Sequence, residues 1–129
     1  MEIAFAIDTN IYVASCRKEE AVVALFKTAD RIYIPIVVIA ELRAGFTFGL
    51  TAIRNEAILT QFLNTSRVAI LPIDDQTTHF YANLYCQMRR KGTPIPTNDL
   101  WIAAIVVQHQ LPLYTQDRHF DAFPQIPRL

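Results

Sequence analysis

Short apolar runs alternate with longer stretches of helical periodicity along this chain, and that alternation restricts the fold more than any other feature. Ile3-Ala-Phe-Ala-Ile7 contains no polar residue and ends at Asp8, the pattern of a strand buried on both faces. Arg31-Ile-Tyr-Ile34 closed by Pro35, Val68–Leu71 stopped by Pro72, and Leu111-Pro-Leu-Tyr114 are three further runs of strand length. Asp8-Thr9-Asn10 supplies helix-start chemistry, and Val22, Val23, Leu25 and Phe26 fall at helical spacing, which predicts a first long helix ending near Asp30. Pro35 suits the first turn of a helix over Val37–Phe46. Gly45 and Gly49 punctuate a corner before a helix over Thr51–Asn64. Asp74-Asp75 opens a long helix toward Lys91, with Phe80, Leu84 and Met88 on one stripe and Gly92 as its C-terminal cap. After the extended link Pro94-Ile-Pro96, Thr97-Asn98-Asp99 starts a helix through His109, and a helical turn near His119–Phe123 closes the chain.

Strands that alternate with helices pair in parallel, so the expected fold is an α/β/α sandwich around a short parallel sheet of about four to five strands. Right-handed crossovers place the C-terminal ends of all strands on one edge, where ligands bind in open α/β sheets. A length of 129 residues fits one domain over residues 1–129, and 52% hydrophobic with 19% charged residues supplies a core rather than a disordered chain. The formal net charge is zero, so whole-chain charge gives no support for binding nucleic acid; any basic surface must compensate acids gathered elsewhere. Cys16 and Cys86 lack a CxxC spacing and fit reduced thiols in a cytoplasmic protein. Glu2 and Asp8 interrupt the N-terminal apolar run, and the longest apolar run, Ile34–Ala40, is far short of a span; a soluble chain without membrane association is expected.

Four carboxylates stand where such a sheet would gather them. Asp8 ends the first strand, Asp117 follows the fourth, Asp99 begins a helix and Glu41 sits inside one. Each also has an ordinary explanation: Asp8 and Asp99 as helix N-caps, Asp117 as a turn residue. Glu41 is harder to explain, because Val37, Val38, Ala40, Leu42 and Ala44 surround it and predict a mostly buried helix. A buried carboxylate needs a partner, either an arginine such as Arg43 or a cation in a pocket. Converging carboxylates repel unless a cation neutralises them, and a hard ion such as Mg²⁺ prefers that all-oxygen environment. His79, His109 and His119 are not at zinc-ligand spacing, and His109 and His119 read as surface or loop residues rather than ligands. Phosphate-cradling GxGxxG and GxxxxGK[ST] patterns are absent, as is a GxSxG nucleophile elbow.

Four segments carry a resemblance to a known family. Ala6-Ile-Asp8-Thr-Asn10 is similar to the opening of PIN domains, and Val38-Ile-Ala-Glu41-Leu-Arg-Ala-Gly45 to their second acidic segment. Ile95-Pro-Thr-Asn-Asp99-Leu-Trp-Ile-Ala-Ala104 resembles the third, and Leu113-Tyr-Thr115-Gln-Asp117-Arg-His119-Phe120 the closing one. The match is in order and covers essentially the whole chain; the Thr-Asn-Asp and His-Phe details resemble the VapC-type toxins in particular. The resemblance implies a metal-dependent endoribonuclease with Asp8, Glu41, Asp99 and Asp117 as the catalytic quartet holding Mg²⁺ or Mn²⁺. Thr9, Asn10, Thr97, Asn98 and Thr115 match polar positions that support the acids or approach the phosphate. It further implies a homodimer and a cognate antitoxin partner, with Arg43 near the antitoxin's entry to the pocket.

Water activated by a bound divalent ion would attack the phosphate in line and leave a 5′-phosphate and a 3′-hydroxyl. Cleavage by the RNA's own 2′-hydroxyl would want a His or Lys acid–base pair, and none is evident. Arg17-Lys18 and Arg89-Arg90-Lys91 are candidate contacts to RNA phosphates, or helix ends that complement the dipole. Phe80, Tyr81, Tyr85 and Trp101 fall at helical spacing and suit a core or an interface, whereas Phe46 and Phe48 are hard to bury together and suit a dimer or antitoxin surface. Two other classes compete. A non-catalytic PIN-like module binding RNA or a protein has no reason to keep four converging acids. A phosphatase of small esters would favour a DxD motif, and Asp8-Thr-Asn10 lacks its second acid.

Overall fold

In the computed structural model, which describes residues 1–129, Phe5, Ala6 and Ile7 are fully buried because their strand lies between two others. The elements run β1 (Ala4–Ile7), α1 (Thr9–Cys16), α2 (Glu20–Thr28), β2 (Arg31–Pro35), α3 (Ile36–Phe46), α4 (Ala52–Leu63), β3 (Val68–Leu71), α5 (Asp75–Lys91), α6 (Thr97–Gln108) and β4 (Leu113–Tyr114), followed by a 3₁₀ turn over Arg118–Ala122. The sheet order is β3-β2-β1-β4 and every pairing is parallel, with Ala6 opposite Tyr33 on one side and Leu113 on the other. All four strands therefore point their C-terminal ends at one edge, in the α/β/α arrangement expected of the alternation. No helix is long and apolar enough to cross a membrane.

The core is a cluster of 27 buried residues to which β1, β2 and α6 contribute most densely. Ile102 to Val106 of α6 are all buried, so this helix is apolar on every side and runs through the middle of the molecule. Its outer neighbour is α5, joined to it by aromatic packing: Tyr81 lies 4.2 Å from Trp101 between ring centres. At the opposite end of this pair Asp74 caps α5 through a reciprocal box with Thr77, and Gln108 bonds both residues.

Three expectations need correction. The first long helix is two helices, α1 and α2. Lys18 takes φ +60°, and the bonds Glu19 N–H to Ala14 C=O and Lys18 N–H to Ser15 C=O close a Schellman motif at that point. The fourth strand is shorter than Leu111–Tyr114 for a related reason. Gln110 has φ +54°, and Leu111 N–H bonds back to Val106 C=O, so Leu111 finishes α6 rather than beginning β4. Third, α3 is not mostly buried: only Val38, Ile39 and Leu42 are, while Ala40, Arg43, Ala44 and Gly45 face outward.

Candidate active site

Asp8 is placed by two elements at once. It follows β1 directly and caps α1, accepting Ile11 N–H at 3.0 Å on Oδ1. Its other oxygen accepts a short hydrogen bond from the Thr115 hydroxyl, just beyond β4 on the neighbouring strand. Only 4% of Asp8 is exposed. Burial pushes its carboxyl above the ordinary aspartate range, the bonds from Thr115 and Ile11 oppose that, and the charge of Asp117 adds to it.

Glu41 lies on the second turn of α3 and is half-buried. Thr9 donates to its Oε1 at 2.7 Å and Asn98 to its Oε2 at 3.3 Å, so the carboxylate is held from α1 and α6. Arg43 is not its partner. That guanidinium forms a two-pronged bond to Glu56 of α4, at 2.8 and 3.1 Å.

Asp99 is the third residue of α6, not its cap; the cap position is Pro96. Its Oδ2 lies 2.9 Å from Nδ1 of His119. Asp117 caps the 3₁₀ turn, accepting His119 N–H at 2.9 Å, and its Oδ1 lies 3.0 Å from the same ring nitrogen. Donor atoms of Asp99, Asp117 and His119 all fall within 4.8 Å of one another. Burial raises the Asp99 carboxyl above its ordinary value; the charges of Asp117 and Glu41 raise it further, and His119 opposes them. Asp117 is in turn tied to Asp8, because its N–H bonds the Thr115 hydroxyl at 2.9 Å.

The four acids thus come from four separate segments to one edge of the sheet, coupled through Thr9, Asn98 and Thr115. Asn10 and Thr97 are exposed at the rim and bond none of the acids. No lysine or arginine side chain pairs with any of the four; the arginine ion pairs of the molecule are Arg43–Glu56 and Arg128–Asp121. His119 was expected to be a surface residue, and the structure brings it into the acidic cluster with its side chain 47% exposed. The sequence signal for it was its position two residues after Asp117, which becomes informative only once Asp99 is known to lie opposite.

The basic candidates distribute unevenly. Arg17 and Lys18 end α1, some nine residues from Asp8, which puts them about 13 Å along the helix at 1.5 Å per residue. The Lys91 ammonium binds the Ala122 carbonyl at the end of the turn that carries His119, Arg89 lies 5.9 Å from the Tyr85 ring centre, and Arg90 is exposed.

A family profile described as the PIN domain matches residues 5–126. The chain belongs to the PIN domain family. Among curated PIN relatives, Ribonuclease VapC5 of Mycobacterium tuberculosis is 31% identical over 116 residues, covering 90% of this chain and 84% of that protein. The tRNA(fMet)-specific endonuclease VapC of Salmonella typhimurium is 29% identical over 125 residues, covering 95% and 93%. Among solved structures, DNA-bound VapBC from Salmonella typhimurium superposes with a TM-score of 0.88 at 28% identity, covering 98% of this chain and 97% of that one.

The donor set of this PIN domain fits a hard divalent cation. Its acids offer carboxylate oxygens, two of them are held against unfavourable burial, and no lysine or arginine pairs with their carboxylates.

Proposed function

We propose that residues 1–129 form one PIN domain acting as an Mg²⁺- or Mn²⁺-dependent endoribonuclease, the toxin of a toxin–antitoxin pair in the cytoplasm. The observation that carries this reading is four carboxylates from four segments at one sheet edge, none of them in an ion pair with a lysine or arginine. The names of two relatives, a ribonuclease and a tRNA-specific endonuclease, support it.

Asp8, Asp99, Asp117 and Glu41 are the residues that would hold the ion. When bound, the ion neutralises charge that builds on the scissile phosphate and lowers the pKa of coordinated water. The chain's own residues supply the positioning. Asp8 cannot turn, because Ile11 and Thr115 fix both of its oxygens. Thr9 and Asn98 orient Glu41 across the pocket. The α6 N-terminus, which has no side-chain cap, places the positive end of its dipole beside Asp99 and the incoming phosphate. Arg89, Arg90 and Lys91, at the end of α5, are the proposed contacts to the RNA backbone.

The antitoxin and a second copy of the chain need apolar surface, and the corner between α3 and α4 offers it. Phe48 is 93% exposed and Ile53 90%, beside the Arg43–Glu56 pair, whereas Phe46 packs against the core. We assign Arg43 to antitoxin contact at this corner. The exposed free thiols Cys16 and Cys86 suit a reducing compartment.

Cleavage of RNA by wild type and Asp8→Asn, each with Mg²⁺, Mn²⁺ or EDTA, tests the proposal, with transfer RNA first in the panel and product ends mapped. Cleavage is expected to need both the metal and Asp8 and to leave 5′-phosphates. Activity that survives EDTA or Asp8→Asn overturns the mechanism, and Mn²⁺ binding without cleavage of any RNA turns the reading toward a binding module.

A further inference from the structure

We propose that His119 is itself a ligand to the divalent cation, through Nδ1, so that this site has a mixed oxygen–nitrogen donor set and favours Mn²⁺ or Co²⁺ over Mg²⁺. The inference rests on the metal-site reading above and adds a residue and a selectivity to it.

Two carboxylate oxygens, one from α6 and one from the cap of the ring's own turn, lie against one nitrogen: Asp99 Oδ2 at 2.9 Å and Asp117 Oδ1 at 3.0 Å. Around an octahedral ion with bonds of about 2.1 Å, neighbouring ligand atoms sit about 3.0 Å apart, the bond length times the square root of two. Each of the two carboxylate oxygens thus stands from Nδ1 at the spacing of adjacent corners of one coordination shell, and donor atoms of all three residues lie within 4.8 Å of one another. Hydrogen bonding accounts for one of these two contacts at a time. Nδ1 carries at most one hydrogen and can serve only one of the two oxygens in line. Asp117 Oδ1 is already bonded by the His119 amide at 2.9 Å. That same bond, at the start of the 3₁₀ turn, fixes the histidine relative to Asp117, so the ring reaches the cluster without an ordering step of its own.

Selectivity follows from donor chemistry. Carboxylates alone suit Mg²⁺, whereas imidazole suits the later first-row ions, whose affinity for nitrogen rises along the series from Mn²⁺ through Co²⁺. A ring with 47% of its surface exposed also leaves Nε2 free to water, so coordination at Nδ1 strands no buried polar atom.

Metal-stripped wild type and His119→Asn are loaded with Mn²⁺ and examined by pulsed electron paramagnetic resonance, with Mn²⁺ and Mg²⁺ affinities measured by calorimetry. Wild type is expected to show the nitrogen modulation of a directly bound imidazole. His119→Asn is expected to bind Mn²⁺ without it, with affinity for Mn²⁺ lowered about tenfold and for Mg²⁺ by less than about threefold. His79 and His109 lie in the second turn of α5 and just beyond the end of α6, so loss of the signal in this variant identifies the ring. Mn²⁺ bound to wild type without nitrogen modulation, or modulation that survives His119→Asn, overturns the inference and leaves the metal site standing. Failure of wild type to bind either ion overturns both.

Discussion

Thr115→Val removes one oxygen from the candidate site and keeps the branched shape of the side chain. That oxygen joins two acids: it donates to Asp8 and accepts the Asp117 N–H at 2.9 Å. Thr115 is buried, so no water replaces the lost donor at Asp8 without rearrangement. The bond to Asp8 favours the ionised carboxylate, the form that binds a cation, and so its loss falls mainly on the metal-bound state. A hydrogen bond to a charged group contributes about 1.5–3 kcal/mol. At about 1.4 kcal/mol per tenfold, that predicts Mn²⁺ binding weakened about 10- to 150-fold. The freed Asp117 N–H adds little, because Asp117 is half-exposed and water can reach it.

Titration calorimetry with Mn²⁺ measures the loss, with circular dichroism to confirm folding. Thr115→Ser restores the hydroxyl and is expected to bind within about threefold of wild type, the residual reflecting looser rotamer control. RNA cleavage at subsaturating metal should fall in parallel with affinity. A folded Thr115→Val protein that binds Mn²⁺ as tightly as wild type would refute the premise that Thr115 holds Asp8 in its binding form.

Asp8→Asn keeps the acceptor for Ile11 and removes the buried charge, so the metal-free variant should melt a few degrees above wild type near neutral pH while losing stabilisation by Mn²⁺. The sign of the pH dependence is fixed by the raised Asp8 carboxyl: its favourable contribution is full below the unfolded aspartate value of about 3.9 and disappears as pH rises through the folded value. The gap in melting temperature between Asp8→Asn and wild type should therefore widen from mildly acidic to neutral pH, and a constant gap would contradict this. Thr77→Val cuts the box at the far end of α5 and should destabilise the protein by about 1–2 kcal/mol in urea titrations, with Mn²⁺ affinity unchanged. Lys18→Gly relieves a left-handed backbone and should stabilise by up to about 1 kcal/mol, read from the same titrations; destabilisation would show that the lysine side chain anchors the turn.

The strands and the long helices were legible because their periods differ, and Gly92 at φ +71° marked the end of α5 as a glycine should. The breaks at Lys18 and Gln110 were not, because the same left-handed position there holds residues with no propensity for it. The helix-end bonds to Ala14 and Val106 close there without the glycine that usually marks such an end. The four acids stood out as chemistry, yet their supports span large separations: Thr9 reaches Glu41 across 32 residues and Thr115 reaches Asp8 across 107. Glu41 drew attention for a reason that does not hold. An all-apolar surround reads equally as a core helix or as a helix with one exposed face, and α3 is the second kind. The place of His119 in the cluster depends on Asp99, 20 residues away on another element, so from sequence it reads as a surface or loop residue.

Holding acids this close requires a scaffold that cannot relax away from their repulsion. The parallel sheet provides it by fixing the strand ends: Asp8 and Thr115 follow adjacent strands whose register places Ile7 beside Tyr114. A rotation of either side chain would break the α1 cap or expose a buried hydroxyl, and so the cost of the clustered charge cannot be shed by local motion. It must be carried by the fold or cancelled by a cation. A cation that binds only the folded chain contributes RT ln(1 + [L]/Kd), about 2.7 kcal/mol at a hundredfold excess over Kd. That offsets part of the cost of the clustered charge and links metal binding to stability in this molecule. The rigidity that keeps the acids close is the same rigidity that presents them to an ion without reorganisation.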